Sequence, residues 1–173
     1  MAKALVGIIM GSESDMAVMC EAAKVLDDFD VAYEMRIVSA HRTPDVMAGY
    51  AASAVKRGLK IIIAGAGGSA HLPGMTASHT TLPVLAVPVK KDGHDHEALW
   101  SNIKMPPGIP LATMPENGAG NAALMAIEIL GLNDASLTKK YVEFRRKQHD
   151  NVTHVNAELT KRGWKKYLKG QKK

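Results

Sequence analysis

The chain has 173 residues, of which 46% are hydrophobic and 23% charged, enough to bury the core of one globular domain without cross-links. Its longest apolar run, "IIIAGAG" at 61–67, falls far short of the roughly 20 residues a membrane span needs, and a lone Cys20 excludes an intramolecular disulfide and any multi-cysteine metal site. The net charge of +5 belongs to one end: residues 161–173 carry seven Lys or Arg and no acid, leaving 15 basic against 17 acidic groups elsewhere.

Apolar runs alternate with amphipathic stretches along the chain. "ALVGIIM" (4–10) reads as a first strand. It runs straight into Gly-Ser-Glu-Ser-Asp without a cleavage-like site, so it is not read as a signal peptide, and a cytoplasmic protein is expected. A helix follows from Asp15 to Leu26, with Cys20 as a small buried hydrophobe. "VAYEMRIV" (31–38) alternates as a second strand, and Pro44 stands at the first position of a helix that Gly58 closes. "LKIIIAG" (59–65) has the β-branched, wholly apolar character of a strand buried on both faces of a parallel sheet. "LPVLAVPV" (82–89) and the short "PLATM" (110–114) complete a set of five strands, with prolines near their ends. "NAALMAIEIL" (121–130) predicts a helix, and a long polar helix runs from Asp134 to Leu159. The sequence thus predicts an α/β fold, a three-layer doubly wound (flavodoxin-like) parallel sheet with a C-terminal helical extension. A catalytic domain is expected over 1–160 and a basic tail over 161–173. Trp164 and Tyr167 give that tail the means to touch RNA or acidic lipid, yet a solvated, partly frayed end is the default reading, so neither nucleic acid nor membrane is an expected partner.

In such a sheet ligands bind beyond the carboxyl ends of the strands, which singles out three loops. In "GSESD" (11–15), Gly11 permits a tight turn, while Ser12, Ser14 and Asp15 place hydroxyls and a carboxylate at a helix N-terminus suited to a phosphate or sugar. An ordinary N-cap would use the same residues. In "SAHRTP" (39–44), Arg42 carries a planar fork suited to phosphate or carboxylate, and His41 beside it can move a proton near neutral pH. In "AGAGGSAHLPGM" (64–75), His71 repeats that setting among Gly65, Gly67 and Gly68. The glycine spacing lacks the last glycine of G-x-G-x-x-G, and G-x-x-x-x-G-K-[ST] is absent, so NAD and ATP are not indicated. Each histidine alone is more often a structural hydrogen-bonding group; the two together, flanked by glycines, shift the reading towards a site. "GHDHE" (93–97) sets two histidines at i and i+2, which do not share a helix face, and reads as a solvated helix start rather than a metal site.

Six stretches in order, "MGSESD", "SAHRTP", "AGAGGSAHLPGM", "LPVLAVPV", "MPPGIPLAT" and "NAAL", resemble motifs of the PurE family of purine biosynthesis in its class I form, over about residues 5–130. The resemblance implies a mutase that moves a carboxylate from the exocyclic nitrogen of an aminoimidazole ribonucleotide to the adjacent ring carbon, with no ATP, metal or biotin. It also implies a homo-octamer with sites between subunits. Carried onto this chain, the family's substrate-binding positions fall on Ser12, Asp15 and Arg42, with Ser14, Ser39, Gly67 and Gly68 close by, and its two histidines on His41 and His71. His41 is then the general acid and base. A direct aminoimidazole ribonucleotide carboxylase, the class II relative, is the nearest rival; "GGSAHLPG" favours the mutase. A non-catalytic binder of a phosphorylated ligand would serve the same phosphate loop. The stretch "TMPENGAGNAAL" is shorter than the family's usual loop, and the basic end lies outside the matched motifs.

Overall fold

The computed structural model describes residues 3–93 and 96–171. Residues up to Leu130 form one compact unit and those from Gly131 a second.

The first unit is built on five parallel strands, β1 (Val6–Met10), β2 (Tyr33–Ile37), β3 (Ile61–Gly67), β4 (Val84–Val89) and β5 (Ala112–Thr113), in the order β2-β1-β3-β4-β5. The wholly apolar runs at β1, β3 and β4 occupy the middle, and every residue of β1 and β4 is buried. Strand β2 lies at one edge and is partly exposed, in keeping with its alternating pattern. The short β5 pairs only with Leu85 and Ala86 of β4, so Pro88, which has no N–H to give, lies beyond the ladder it would interrupt.

Right-handed crossovers from a sheet of this order put helices on both faces. The first helix α1 (Met16–Asp28) packs Met19 against Gly65 of β3, and the helix over Ala119–Gly131 brings Gly120 near Val25 of α1. On the other face, α2 (Pro44–Arg57) contributes Met47, Tyr50 and Ala54 to one cluster with Ile9, Ile62 and Ala64. Leu72 of α3 (His71–Ser78) and Ala98 of α4 (Glu97–Ile103) join that cluster. Helix α2 starts at Pro44 and stops at Gly58, whose φ of +97° is a left-handed cap, as its sequence predicts.

Helix α3 departs from expectation. The stretch around His71 reads as loop because Ala70 cannot cap a helix with its side chain and Pro73 and Gly74 follow closely. The chain nevertheless turns helical at His71, with Ala70 left-handed (φ +40°). Pro73 sits in the first turn, where its missing N–H would have had no partner. With α5 denoting Ala119–Gly131, the second unit comprises α6 (Ala135–Arg162) and α7 (Trp164–Gln171). Asp134 caps α6 by accepting the N–H groups of Ser136 and Leu137 at 2.9 and 3.0 Å. Gly163 ends it, and the segment expected to fray is instead a second helix. Its first turn is closed by the Tyr167 N–H on the Gly163 carbonyl, and Arg162 lies over the Tyr167 ring at 6.0 Å. Among the described residues no helix is long and apolar enough to cross a membrane.

Candidate active site

Strand register brings the three loops to one level. Met10 of β1 pairs with Ile37 on one side and Gly65 on the other; β1 and β2 end at that level while β3 runs two residues further to Gly67 beside β4, so the three loops leave the same edge of the sheet around the point where strand order reverses. There they enclose a cavity of about 260 Å³ lined by Ser12, Asp15, Ser39, His41, Arg42, His71 and Lys91, with Gly11, Ala40, Ala66 and Leu72 behind them.

The loop after β2 is a closed ring of hydrogen bonds. Thr43 Oγ1 accepts the Ser39 N–H at 3.0 Å and donates to the Ser39 carbonyl at 3.1 Å. The Ser39 hydroxyl accepts both the backbone N–H and the Nε–H of Arg42, each at 3.2 Å. Arg42 then spans to the first loop, donating from Nη2 to the Gly11 carbonyl at 2.9 Å. Its guanidinium is thus oriented by backbone and hydroxyl groups, with no acid paired to it among the described residues, and its charge is available to an anion. His41 stands at the tip of this ring and His71 at the first position of α3. Their rings meet edge to face with centroids 4.9 Å apart, and His41 Nε2 lies 2.7 Å from His71 Nδ1. One of these nitrogens donates and the other accepts, so the pair holds a shared proton whose position follows from the tautomers.

In the first loop, Ser12 caps a short 3-10 turn (Glu13–Asp15) by accepting the Ser14 N–H at 3.3 Å. Asp15, at the N-cap of α1, makes no capping bond with its side chain and is 1% exposed. The capping reading therefore holds for Ser12 and fails for Asp15, whose buried carboxylate is paired with Lys91 instead, Nζ to Oδ1 at 3.4 Å. A bare carboxylate at this depth would be costly; the ammonium offsets that cost.

The structure brings Ser12, Asp15, Ser39, His41, Arg42 and His71 around one cavity. Ser14, Gly67 and Gly68 do not line it. Ser14 reaches it through the Ser12 hydroxyl at 3.2 Å and the Lys91 ammonium at 3.3 Å, and Gly67 is the surface over which Lys91 passes. Lys91 is a site residue that the sequence reading misses. A signal exists, because the loop after β4 also leaves the carboxyl edge, but the adjacent histidine-rich "GHDHE" draws the eye toward metal. His94 and Asp95 of that stretch lie outside the described residues, while His96 Nδ1 pairs with Glu116 Oε2 at 2.8 Å. Two further hollows adjoin the cavity. One of about 470 Å³ shares Gly11, Ser12, Ser39 and Arg42; the other, about 350 Å³, lies behind His71 among Met75, Met105, Pro106 and Ile109.

Fold and site together define a flavodoxin-like α/β protein with a polar, two-histidine cavity at the switch point of its sheet. Residues 5–151 match the family model described as AIR carboxylase, and the chain belongs to that family. It is 50% identical over 166 residues to the N5-carboxyaminoimidazole ribonucleotide mutase of Pyrococcus abyssi, covering 95% of both chains. It is 52% identical over 174 residues to the phosphoribosylaminoimidazole carboxylase of Saccharomyces cerevisiae, covering 99% of this chain and 30% of that one. The likeness thus extends well past the motifs at 5–130 and takes in the basic end. A crystal structure of a single-site variant of Treponema denticola PurE2 superimposes with a TM-score of 0.84 at 28% identity, covering 91% of this chain and 99% of that one.

Proposed function

We propose that the protein is a 5-(carboxyamino)imidazole ribonucleotide mutase that works in the cytoplasm as a homo-octamer, converting its substrate to 5-amino-1-(5-phosphoribosyl)imidazole-4-carboxylate. The observation that carries this reading is the 2.7 Å contact between His41 and His71, two proton-carrying groups delivered by separate strands to one small cavity that also holds Arg42. Relatives matched over nearly the whole of both chains, that of Pyrococcus abyssi among them, carry the mutase name, whereas the carboxylase of Saccharomyces cerevisiae is about three times as long as this chain.

The chemistry follows from those groups. His41 gives a proton to the exocyclic nitrogen of the carbamate; the bond from that nitrogen to the carboxylate carbon breaks, its electron pair staying on nitrogen, and carbon dioxide is released within the cavity. The electron-rich ring carbon attacks the carbon dioxide, forming the new bond, and the proton on that carbon returns to the imidazole. No net proton is consumed, and one base serves both halves. His71 holds His41 in orientation and shares the proton through their common hydrogen bond. Arg42 binds an anionic oxygen of the ribonucleotide, with Ser12 and Asp15 offering a hydroxyl and a carboxylate to its sugar and phosphate end. In a cavity of about 260 Å³ the gas is released beside the ring carbon that attacks it, so recapture competes with its loss to water.

The test is a spectroscopic assay of the purified protein with 5-(carboxyamino)imidazole ribonucleotide without ATP, run beside aminoimidazole ribonucleotide plus bicarbonate. Rapid product from the first mixture alone is expected, and His41→Asn is expected to lower kcat at least about 100-fold while the fold is retained. Product from the second mixture alone would make the protein the direct carboxylase. No product from either, with ribonucleotide binding intact, would leave a non-catalytic binder.

A further inference from the structure

Lys91 reaches the cavity from outside the three loops that carry the histidines and serines. Strand β4 ends at Val89, and the next backbone N–H, that of Lys90, is held by Asn117 Oδ1 at 2.9 Å. Asn117 is itself fixed by its N–H on the Pro88 carbonyl at 2.8 Å. From this anchored point the Lys91 stem crosses the end of β3 directly over Gly67: a Cβ there would lie 2.4 Å from Lys91 Cε and 2.8 Å from Cδ. The same Cβ would lie 2.9 Å from the Val89 carbonyl oxygen, which cannot move aside as a lysine stem can, so a side chain at residue 67 would both crowd the backbone and push Lys91 from this path. The ammonium arrives between Asp15 Oδ1 at 3.4 Å and Ser14 Oγ at 3.3 Å and lines the same cavity as His41, His71 and Arg42.

An ion pair that merely neutralises Asp15 would account for part of this arrangement. Three features go further. The lysine side chain keeps 39% of its surface exposed while Asp15 keeps 2%, so the ammonium stands on the cavity side of the pair. An ammonium has three donors, and Asp15 and Ser14 engage two. The third feature is charge. The cavity is lined by one fixed anion, Asp15, and two fixed cations, Arg42 and Lys91; without Lys91 the lining is formally neutral, Asp15 loses its partner, and Arg42 alone is left to attract an anionic ligand. With it the lining carries a net positive charge.

Resting on the mutase reading above, we propose that Lys91 is a substrate-binding residue of this site, its ammonium, held by Asp15 and Ser14, taking an anionic oxygen of the ribonucleotide. The oxygen belongs either to the phosphate or to the carboxylate that the reaction moves. Aminoimidazole ribonucleotide carries only the phosphate and the mutase product carries both, so the two ligands separate the sources.

The experiment measures calorimetric Kd for both ligands, and kcat and KM for the mutase reaction, in wild type, Lys91→Met and Lys91→Arg, with a thermal melt of each. Lys91→Met is expected to weaken product binding and raise KM at least about 10-fold, the loss typical of removing a charged hydrogen-bond donor from a ligand, and Lys91→Arg to recover most of it. Equal weakening of both ligands assigns the phosphate; weakening of the product alone assigns the carboxylate. If Lys91→Met lowers only the melting temperature and leaves both Kd values and KM within twofold, Lys91 is a structural partner of Asp15 and the proposal falls. Should Lys91→Met not fold, Lys91→Gln carries the same comparison. The wild-type arm keeps the two readings apart: a wild type that does not turn over the carbamate substrate overturns the mutase reading and this assignment with it, whereas an active wild type with indifferent variants overturns this assignment alone.

Discussion

At the scale of single residues, the site turns on the bond between His41 Nε2 and His71 Nδ1. Two side chains that share one proton act as a unit, and the effects of removing members of such a unit do not add. His41→Asn and His71→Asn are therefore each expected to lower kcat by about 10²- to 10⁴-fold, and the double variant to be scarcely worse than the more damaging single one. A double loss equal to the product of the two would mean that the rings act independently. The same scale holds the difference between the serines. Ser39, whose hydroxyl already accepts two Arg42 N–H groups, acts by aiming Arg42. Ser12, whose hydroxyl accepts only from the neighbouring Ser14, N–H at 3.3 Å and Oγ at 3.2 Å, holds no other site side chain and keeps its own O–H to give to a ligand.

At the scale of elements, the attachment of α2 to β1 depends on a glycine. Gly7 faces Tyr50, and a Cβ at residue 7 would lie 2.2 Å from the phenol oxygen and 3.1 Å from Leu59 Cδ1. Tyr50 is 6% exposed and its ring is rigid, with Arg57 stacked over it at 4.4 Å, so it has no easy way to yield. Gly7→Ala is expected to cost about 1–3 kcal/mol, the usual penalty of overpacking, read in a thermal or urea melt. Adding Tyr50→Phe removes the clashing oxygen and should recover most of the loss; no recovery would place the strain elsewhere. Burial, reinforced by Glu34, also pushes the Tyr50 hydroxyl well above its ordinary range. A group whose folded pKa is raised stabilises fully below its unfolded pKa, so this contribution fades only as pH climbs past about 10, and Tyr50→Phe should flatten that alkaline decline. Elements with strong local signals were legible in the sequence. Pro44 and Gly58 bound α2, and the apolar runs of β1, β3 and β4 mark the sheet's centre. Helix α3 was not legible, because tertiary packing of Leu72 and Pro73, both buried, fixes a start that no capping side chain announces. The histidines could be read from their loops, yet their contact could not: it depends on the register that sets Met10 level with Ile37 and Gly65. Lys91 escaped for a related reason, since its role depends on crossing Gly67 and not on any neighbour in sequence.

At the scale of the whole molecule, apolar surface left open on a single chain bears on assembly. In the first unit Val46, Val55, Trp100 and Ile103 are each about half exposed, and in the second Val142, Val152, Trp164 and Leu168 are exposed to 53–66%. Scattered apolar residues are ordinary on a monomer; the proposed octamer predicts that part of this surface is buried between copies. The homo-octamer proposed above predicts a sedimenting species near eight times 18.6 kDa. Because apolar contact should dominate its interfaces, that species should persist when salt is raised, a condition that screens exposed charge pairs. Trp100→Glu, placed on exposed surface outside the catalytic cavity, tests the same point from the other side: if its face is buried between subunits, the charge lowers the sedimenting mass while the circular dichroism spectrum is unchanged. A wild type that sediments at the mass of one chain would instead mean that these side chains stay in water, and that each cavity is complete within its own subunit.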